Sequence, residues 1–187
     1  MTTLLLLWLA FADLSLTDQQ ALEVCTAAFA VPANADVRRV PGAFSICKQV
    51  ARTAISEGVD PVLAVAVAYH ESRFRDIPSN RGVAIMRIKG TTRSSLSTAI
   101  EQGALQVKPK WHCPQRKLNG CDTTLAGVRL LKGLVTKHGD NALRYYRRPY
   151  LSDPGYAARV DYRIRLIRAK LPQKVAANEG RLRRPSL

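Results

Sequence analysis

The stretch GVDPVLAVAVAYHESRF, from Gly58 to Phe74, leaves the chain the fewest options. Asp60 suits a helix N-cap and Pro61 its first turn, where a missing N–H costs nothing. Val62, Leu63, Val65 and Val67 are interleaved with alanines, so the helix they form is apolar on every side. A helix without a polar face must be surrounded by other elements, which predicts a domain built around this segment. Its far end carries Tyr69, His70 and Glu71. A carboxylate there is disfavoured by low-dielectric surroundings and by the negative end of the helix dipole, whereas Arg73 and Arg75 favour it. A carboxylic acid held protonated near neutral pH is what general-acid chemistry needs. One that closes a helix and pairs with an arginine is structural. Both readings stand at this point.

The flanking segments supply the surrounding elements. Thr17 to Phe29 reads as a short helix with Leu22 and Cys25 on one side. Between Phe44 and Glu57, the positions Cys47, Val50, Ala51, Ala54 and Ile55 recur at helical spacing, and Gly58 is the stop. Periodicity lapses from Asp76 to Ser95, where Val83 to Ile88 is the one strand candidate, and a short helix is expected from Leu96 to Gln102. Asp122 or Thr123 caps the next helix, which presents Leu125, Val128, Leu131, Leu134 and Val135 to a core until Gly139. Asp140 opens a short helix through Tyr146. Asp153 and Pro154 open the last, with Tyr156, Val160, Ile164, Ile167 and Leu171 on one stripe and Arg159, Arg163 and Arg168 as solvated positions. The expected fold is therefore mainly α, with at most a small β-hairpin. Residues 1–20 form a signal peptide or short hydrophobic segment, 21–172 the domain, and 173–187 a basic tail with too little to bury.

Four cysteines bear on compartment and framework: Cys25, Cys47, Cys113 and Cys121. Leu4 to Ala12 is an apolar run of signal-peptide length, too short to span a bilayer and not preceded by a basic residue. Export to the periplasm or cell envelope is the favoured reading, with retention as an anchor left open. An even cysteine count in an exported chain predicts two disulfides. Three connectivities exist; Cys25–Cys47 and Cys113–Cys121, nearest neighbours in sequence, are favoured. A zinc site using His70, His112 or His138 is the rival, but no spacing has the short paired form of a structural site. Trp111 and His112 are expected to pack beside the Cys113 loop, and His70 to be scaffold.

Lys and Arg number 29 against 14 acidic residues, a net charge of +15. Such an excess points to an anionic partner: nucleic acid, a lipid surface or an acidic wall polymer. No nucleic-acid reading motif is present.

Three pieces occur in fixed order: AVAYHESRF at Ala66 to Phe74, GALQVKP at Gly103 to Pro109, and ALRYY…YAARV at Ala142 to Val160. Their order resembles the soluble lytic transglycosylase domain, a lysozyme-like (α+β) fold that cuts bacterial peptidoglycan. Glu71-Ser72 matches the first motif of that family, and Gly103, Gln106 and Pro109 the second. Ala142, Leu143 and Tyr146 match the third, and Tyr156 fits a tyrosine that opens the last helix. The resemblance covers about residues 40 to 170, and WHCPQRKLNGCD is similar to phage and prophage versions of the domain. Two positions depart: the family's Asn falls on Arg147 and its small Gly on Pro149.

The resemblance implies an enzyme without metal or organic cofactor, acting as a monomer on peptidoglycan and not on nucleic acid. It implies that Glu71 protonates the bond between N-acetylmuramic acid and N-acetylglucosamine. The muramic 6-hydroxyl then attacks its own C1, leaving a 1,6-anhydro end. A hydrolase needs a second carboxylate; the candidates near Glu71 in sequence, Asp60 and Asp76, are few. Ser72, Gln106, Tyr146 and Tyr156 are the expected substrate-binding residues. Each also has a structural reading: a helix-end cap for Ser72, a backbone brace for Gln106, core packing for the tyrosines. A lysozyme-type hydrolase on the same fold and a non-catalytic, basic wall-binding protein remain as alternatives.

Overall fold

The computed structural model describes residues 15–76, 101–147 and 152–172. Within them the chain forms α1 (Leu16–Ala30), a 3-10 helix (Pro32–Arg39), α2 (Ala43–Ser56), α3 (Pro61–Ser72), α4 (Pro109–His112), α5 (Thr123–His138), α6 (Ala142–Tyr146) and α7 (Pro154–Arg168). Among the described residues the one extended pairing is an antiparallel bridge between Gln102 and Val107. The expected mainly α fold is what the chain adopts.

The apolar segment takes the central place its composition demands. Every α3 residue from Pro61 to Tyr69 except Leu63 is buried, with α1, α2 and α7 packed around the helix. Asp60 accepts hydrogen bonds from the amides of Val62 (2.8 Å) and Leu63 (3.3 Å), satisfying donors that an open helix end leaves unpaired. Its other oxygen pairs with Arg168 of α7 at 2.5 Å, so one carboxylate starts α3 and ties down the last helix. Asp122 and Asp153 cap α5 and α7 in the same way, through the amides of Leu125 and Tyr156.

Both favoured disulfides are present. Cys25–Cys47 joins α1 to α2 inside the core, and Cys113–Cys121 closes the loop between α4 and α5. The first spans 22 residues, a loop whose closure is worth about 3 kcal/mol on chain-entropy grounds. The double substitution Cys25→Ala/Cys47→Ala is therefore expected to lower unfolding free energy by about 3 kcal/mol, read from denaturant melts. An unchanged midpoint would show that α1 and α2 are held by packing alone.

Several expectations change. Val135, expected to face the core from α5, is 40% exposed, one turn from the C-terminal end of its helix. Asp140 lies in a 3-10 turn, and α6 starts after Asn141 with no side-chain cap. The helix foreseen from Leu96 to Gln102 is absent at its described end, because Gln102 gives both backbone groups to Val107 (2.8 and 3.0 Å). Trp111, on the short helix beside the disulfide loop, is 67% exposed, with the Lys110 ammonium 5.2 Å from its ring centre. The α7 arginines are not simply solvated, as the site shows. The apolar run before residue 15, the strand candidate at 83–88, Pro149 and the basic tail lie outside the described residues. No helix among those residues is long and apolar enough to cross a membrane.

Candidate functional site

α3 ends in an unusual turn. Arg73 and Phe74 both have positive φ (58° and 56°), a region disfavoured for residues with side chains. The turn persists because both side chains are fixed. Phe74 is fully buried, stacked on Phe29 at 5.7 Å, and Arg73 pairs with Asp36 at 3.1 Å while donating to the Tyr69 carbonyl at 2.8 Å. The helix therefore ends just after Glu71 and Ser72, and those two side chains are half-buried at its last turn.

Burial holds the Glu71 carboxyl above the usual carboxylate range. Hydrogen bonding from the Tyr156 hydroxyl and the charge of Arg147 pull it back down, and the nearby Glu101 carboxylate pushes it up. The net direction is upward. The arginine that acts on Glu71 is Arg147, and not the neighbouring Arg73 or Arg75. Arg73 has turned back onto its own helix, and Arg75 is exposed. The Tyr156 phenol approaches the carboxyl without reaching full hydrogen-bond geometry, and its buried hydroxyl has no other partner among the described residues. Burial and the adjacent carboxyl keep that phenol protonated far above its ordinary range.

Behind the acid lies the loop 102–107. Gly103 takes φ 75°, and a Cβ there would fall 2.8 Å from the Thr123 Cβ, so glycine is required twice over. Leu105 is fully buried against Gly127 of α5. Two side chains bind the loop to the site. The Ser72 hydroxyl lies 2.8 Å from the Ala104 carbonyl and 3.2 Å from the Ala68 carbonyl, and it accepts from the Arg75 amide at 3.1 Å. The Tyr146 hydroxyl donates to the Leu105 carbonyl at 2.7 Å. Gln106 braces the same loop, donating from Nε2 to the Gly103 carbonyl at 2.7 Å.

All five expected residues thus converge. Glu71 and Tyr156 face one another, the Tyr146 and Tyr156 rings stack in parallel at 6.2 Å, and Ser72 and Gln106 fix the loop beneath. The roles differ in kind, however. Ser72 and Tyr146 spend their hydroxyls on backbone, and both tyrosine rings are buried, so these residues support the acid. Removing the Tyr146 hydroxyl leaves the Leu105 carbonyl without this partner, and Tyr146→Phe is expected to cost about 1–3 kcal/mol of stability in a thermal melt. A variant as stable as the parent would show the contact to be incidental.

Three features escaped the sequence. Glu101 comes close enough to act on Glu71 while pairing with Lys108 at 3.3 Å. Arg147 lays its guanidinium 5.6 Å from the Tyr156 ring centre. His70 stands 5.5 Å from the same ring and accepts from Arg159 Nε at 3.2 Å. Burial, then Arg73, Arg159, Arg163 and Arg147, lower the His70 pKa to about 4, so the imidazole is neutral near pH 7. Among the described residues no cluster of three or more His, Cys, Asp or Glu could hold a metal. Comparison of the chain with protein-family models, curated proteins and solved structures gives no match.

Proposed function

We propose that the protein is a peptidoglycan lytic transglycosylase in which Glu71 is both acid and base. The observation that carries this reading is the setting of Glu71: a carboxyl at the end of a buried helix, its pKa raised by burial, beside two stacked tyrosines. In the first step the Glu71 proton passes to the glycosidic oxygen as the bond from muramic C1 breaks. In the second, the carboxylate takes the proton of the muramic 6-hydroxyl while that oxygen bonds to C1. Glu71 returns to its protonated form, water does not enter the product, and one carboxyl suffices because the nucleophile is already held by the ring. Arg147 would stabilise the carboxylate between the two steps.

The proximity of Glu101 favours a second reading, a lysozyme-type hydrolase in which that carboxylate assists an attacking water. The Glu101 carboxylate also pairs with Lys108 at 3.3 Å. Incubating purified sacculi with the parent protein and with Glu71→Gln tests the common core of both readings: the parent should clear the suspension and the variant should not. A protein that clears nothing but binds sacculi equally well with either residue would be a wall-binding protein.

A further inference from the structure

Four arginines gather where α3 meets α7. They fall into an inner and an outer pair. The inner pair is structural. Arg163 places its guanidinium 3.7 Å from the Tyr69 ring centre and Arg73 places its own at 4.3 Å. Arg163 also donates to the Ala33 carbonyl at 3.3 Å, and Arg73 is paired with Asp36. The outer pair, Arg147 and Arg159, is exposed and makes no ion pair among the described residues.

Among the described residues the nearby acids form no ion pair with it. Asp36 serves Arg73 and the Tyr69 hydroxyl, and Asp153 caps α7 on the Tyr156 amide. Asp161 projects about 200° around the helix from Arg159 and Arg163. Burial raises the Glu71 pKa, which disfavours its charged form. His70 would add a fifth positive charge, but it stays neutral and uses Nε2 to accept from Arg159 Nε. That contact holds one edge of the Arg159 guanidinium and leaves the terminal nitrogens for another acceptor. Arg147 is oriented on Tyr156, the residue that also touches Glu71. Two oriented guanidiniums without an ion pair among the described residues therefore lie beside the Tyr156 and His70 rings next to the acid. Such forks suit a planar carboxylate, which they can grip through paired N–H donors.

We propose that Arg147 and Arg159 form a carboxylate-binding subsite of the glycan cleft, taking an acidic group carried by the sugar next to the bond under attack. The proposal rests on the wall-cleaving reading above. It makes the departure at Arg147 a specificity device: where the resembled family has a neutral amide, this chain has a cation. The carboxylate can come from the stem peptide or from the lactyl group of muramic acid.

Soluble, uncrosslinked glycan strands separate these cases when offered in three forms: with stem peptides, with peptides removed by an amidase so that the lactyl carboxylate is free, and with all carboxylates converted to methylamides. Binding is measured with Glu71→Gln protein, and KM and kcat with the active protein. Adding Arg159→Ala to either background should weaken binding and raise KM about tenfold on carboxylate-bearing strands, with little change in kcat. It should have no effect on amidated strands. Arg159→Lys should recover part of the loss. A loss only on strands with peptides names the stem peptide as the source, a loss only on strands without them names the lactyl group, and a loss on both shows that the subsite takes either carboxylate. Lys137→Ala, an exposed charge on α5, controls for general attraction to a basic protein. Equal losses for Lys137→Ala and Arg159→Ala, or equal binding of amidated and free strands, would overturn the subsite. If no strand is cleaved, the enzymatic reading fails, while the binding arm still decides for or against the carboxylate site.

Discussion

Glu71→Gln is expected to reduce release of soluble fragments from sacculi by about 10³-fold or more, the usual scale for losing a general acid. Glutamine keeps the shape of the protonated carboxyl and has no proton to give. It should also make the protein more stable near neutral pH, and the sign follows from burial. The folded-state pKa of Glu71 lies above its ordinary value of 4.5, so between the two pKa values the folded protein binds more protons than the unfolded chain. The contribution of Glu71 is fully present below the ordinary value and is lost as pH rises through the raised one. A glutamine amide does not titrate and loses nothing. Thermal melts should therefore place the variant above the parent at pH 7 to 8, with the two converging near pH 4. Activity of the parent should fall over the same rise in pH, as the acid ionises. A variant that keeps full activity, or one that is less stable than the parent at pH 8 and more stable at pH 4, would mean that Glu71 is an ordinary ion-paired carboxylate.

Gly127→Ala is expected to damage the site from a distance. Alanine favours an α-helix over glycine by about 1 kcal/mol, so on propensity alone the change would stabilise α5. Packing decides otherwise. A Cβ at Gly127 would fall 2.5 Å from the Leu105 Cβ and 2.7 Å from its Cδ1. A clash at a Cβ cannot be relieved by swinging a side-chain tip; the loop 102–107 must move, and overpacking of this kind costs about 1–3 kcal/mol. That loop carries the carbonyls held by Tyr146 and Ser72. Displacement by an ångström is enough to lower activity by about 10²-fold. Gly133, on the same helix with open space around it, supplies the control: Gly133→Ala should raise stability by about 1 kcal/mol and leave activity intact. Equal gains for both variants would show that the loop does not depend on contact with α5.

The sequence made the frame legible where a signal was local. The apolar α3 segment, the caps at Asp60, Asp122 and Asp153, and the stripe Tyr156, Val160, Ile164 and Ile167 of α7 depend on spacing within one element, and these appear as expected. The two disulfides were readable because neighbouring cysteines close short loops. The 3-10 helix Pro32–Arg39 was not, since PANADVRR has no apolar period to mark it. Nor was the helix-to-bridge change at Gln102, which depends on a partner beyond a tight turn.

At the site, motif order brought Glu71, Ser72, Gln106, Tyr146 and Tyr156 together, but it could not say what each would touch. A hydroxyl that braces a loop and one that meets a sugar have the same sequence. Counting positions around α7 showed which face is buried and left Arg159 and Arg163 as solvent-facing. Their real neighbours, His70 and Tyr69, come from the end of another helix, 89 residues from Arg159 in the case of His70. Glu101 was hidden for the same reason. Its effect on Glu71 arises in the folded chain, and spacing along the sequence carries no information about it.

The end groups left on the cut glycan test the account most directly. Sacculi digested with the purified protein in water enriched in heavy oxygen should yield muramic ends that are one water lighter than reducing ends and carry no label, as mass spectrometry would show. Labelled reducing ends would assign the chemistry to water and bring Glu101 into the mechanism, and intact strands would remove Glu71 from the role of acid altogether.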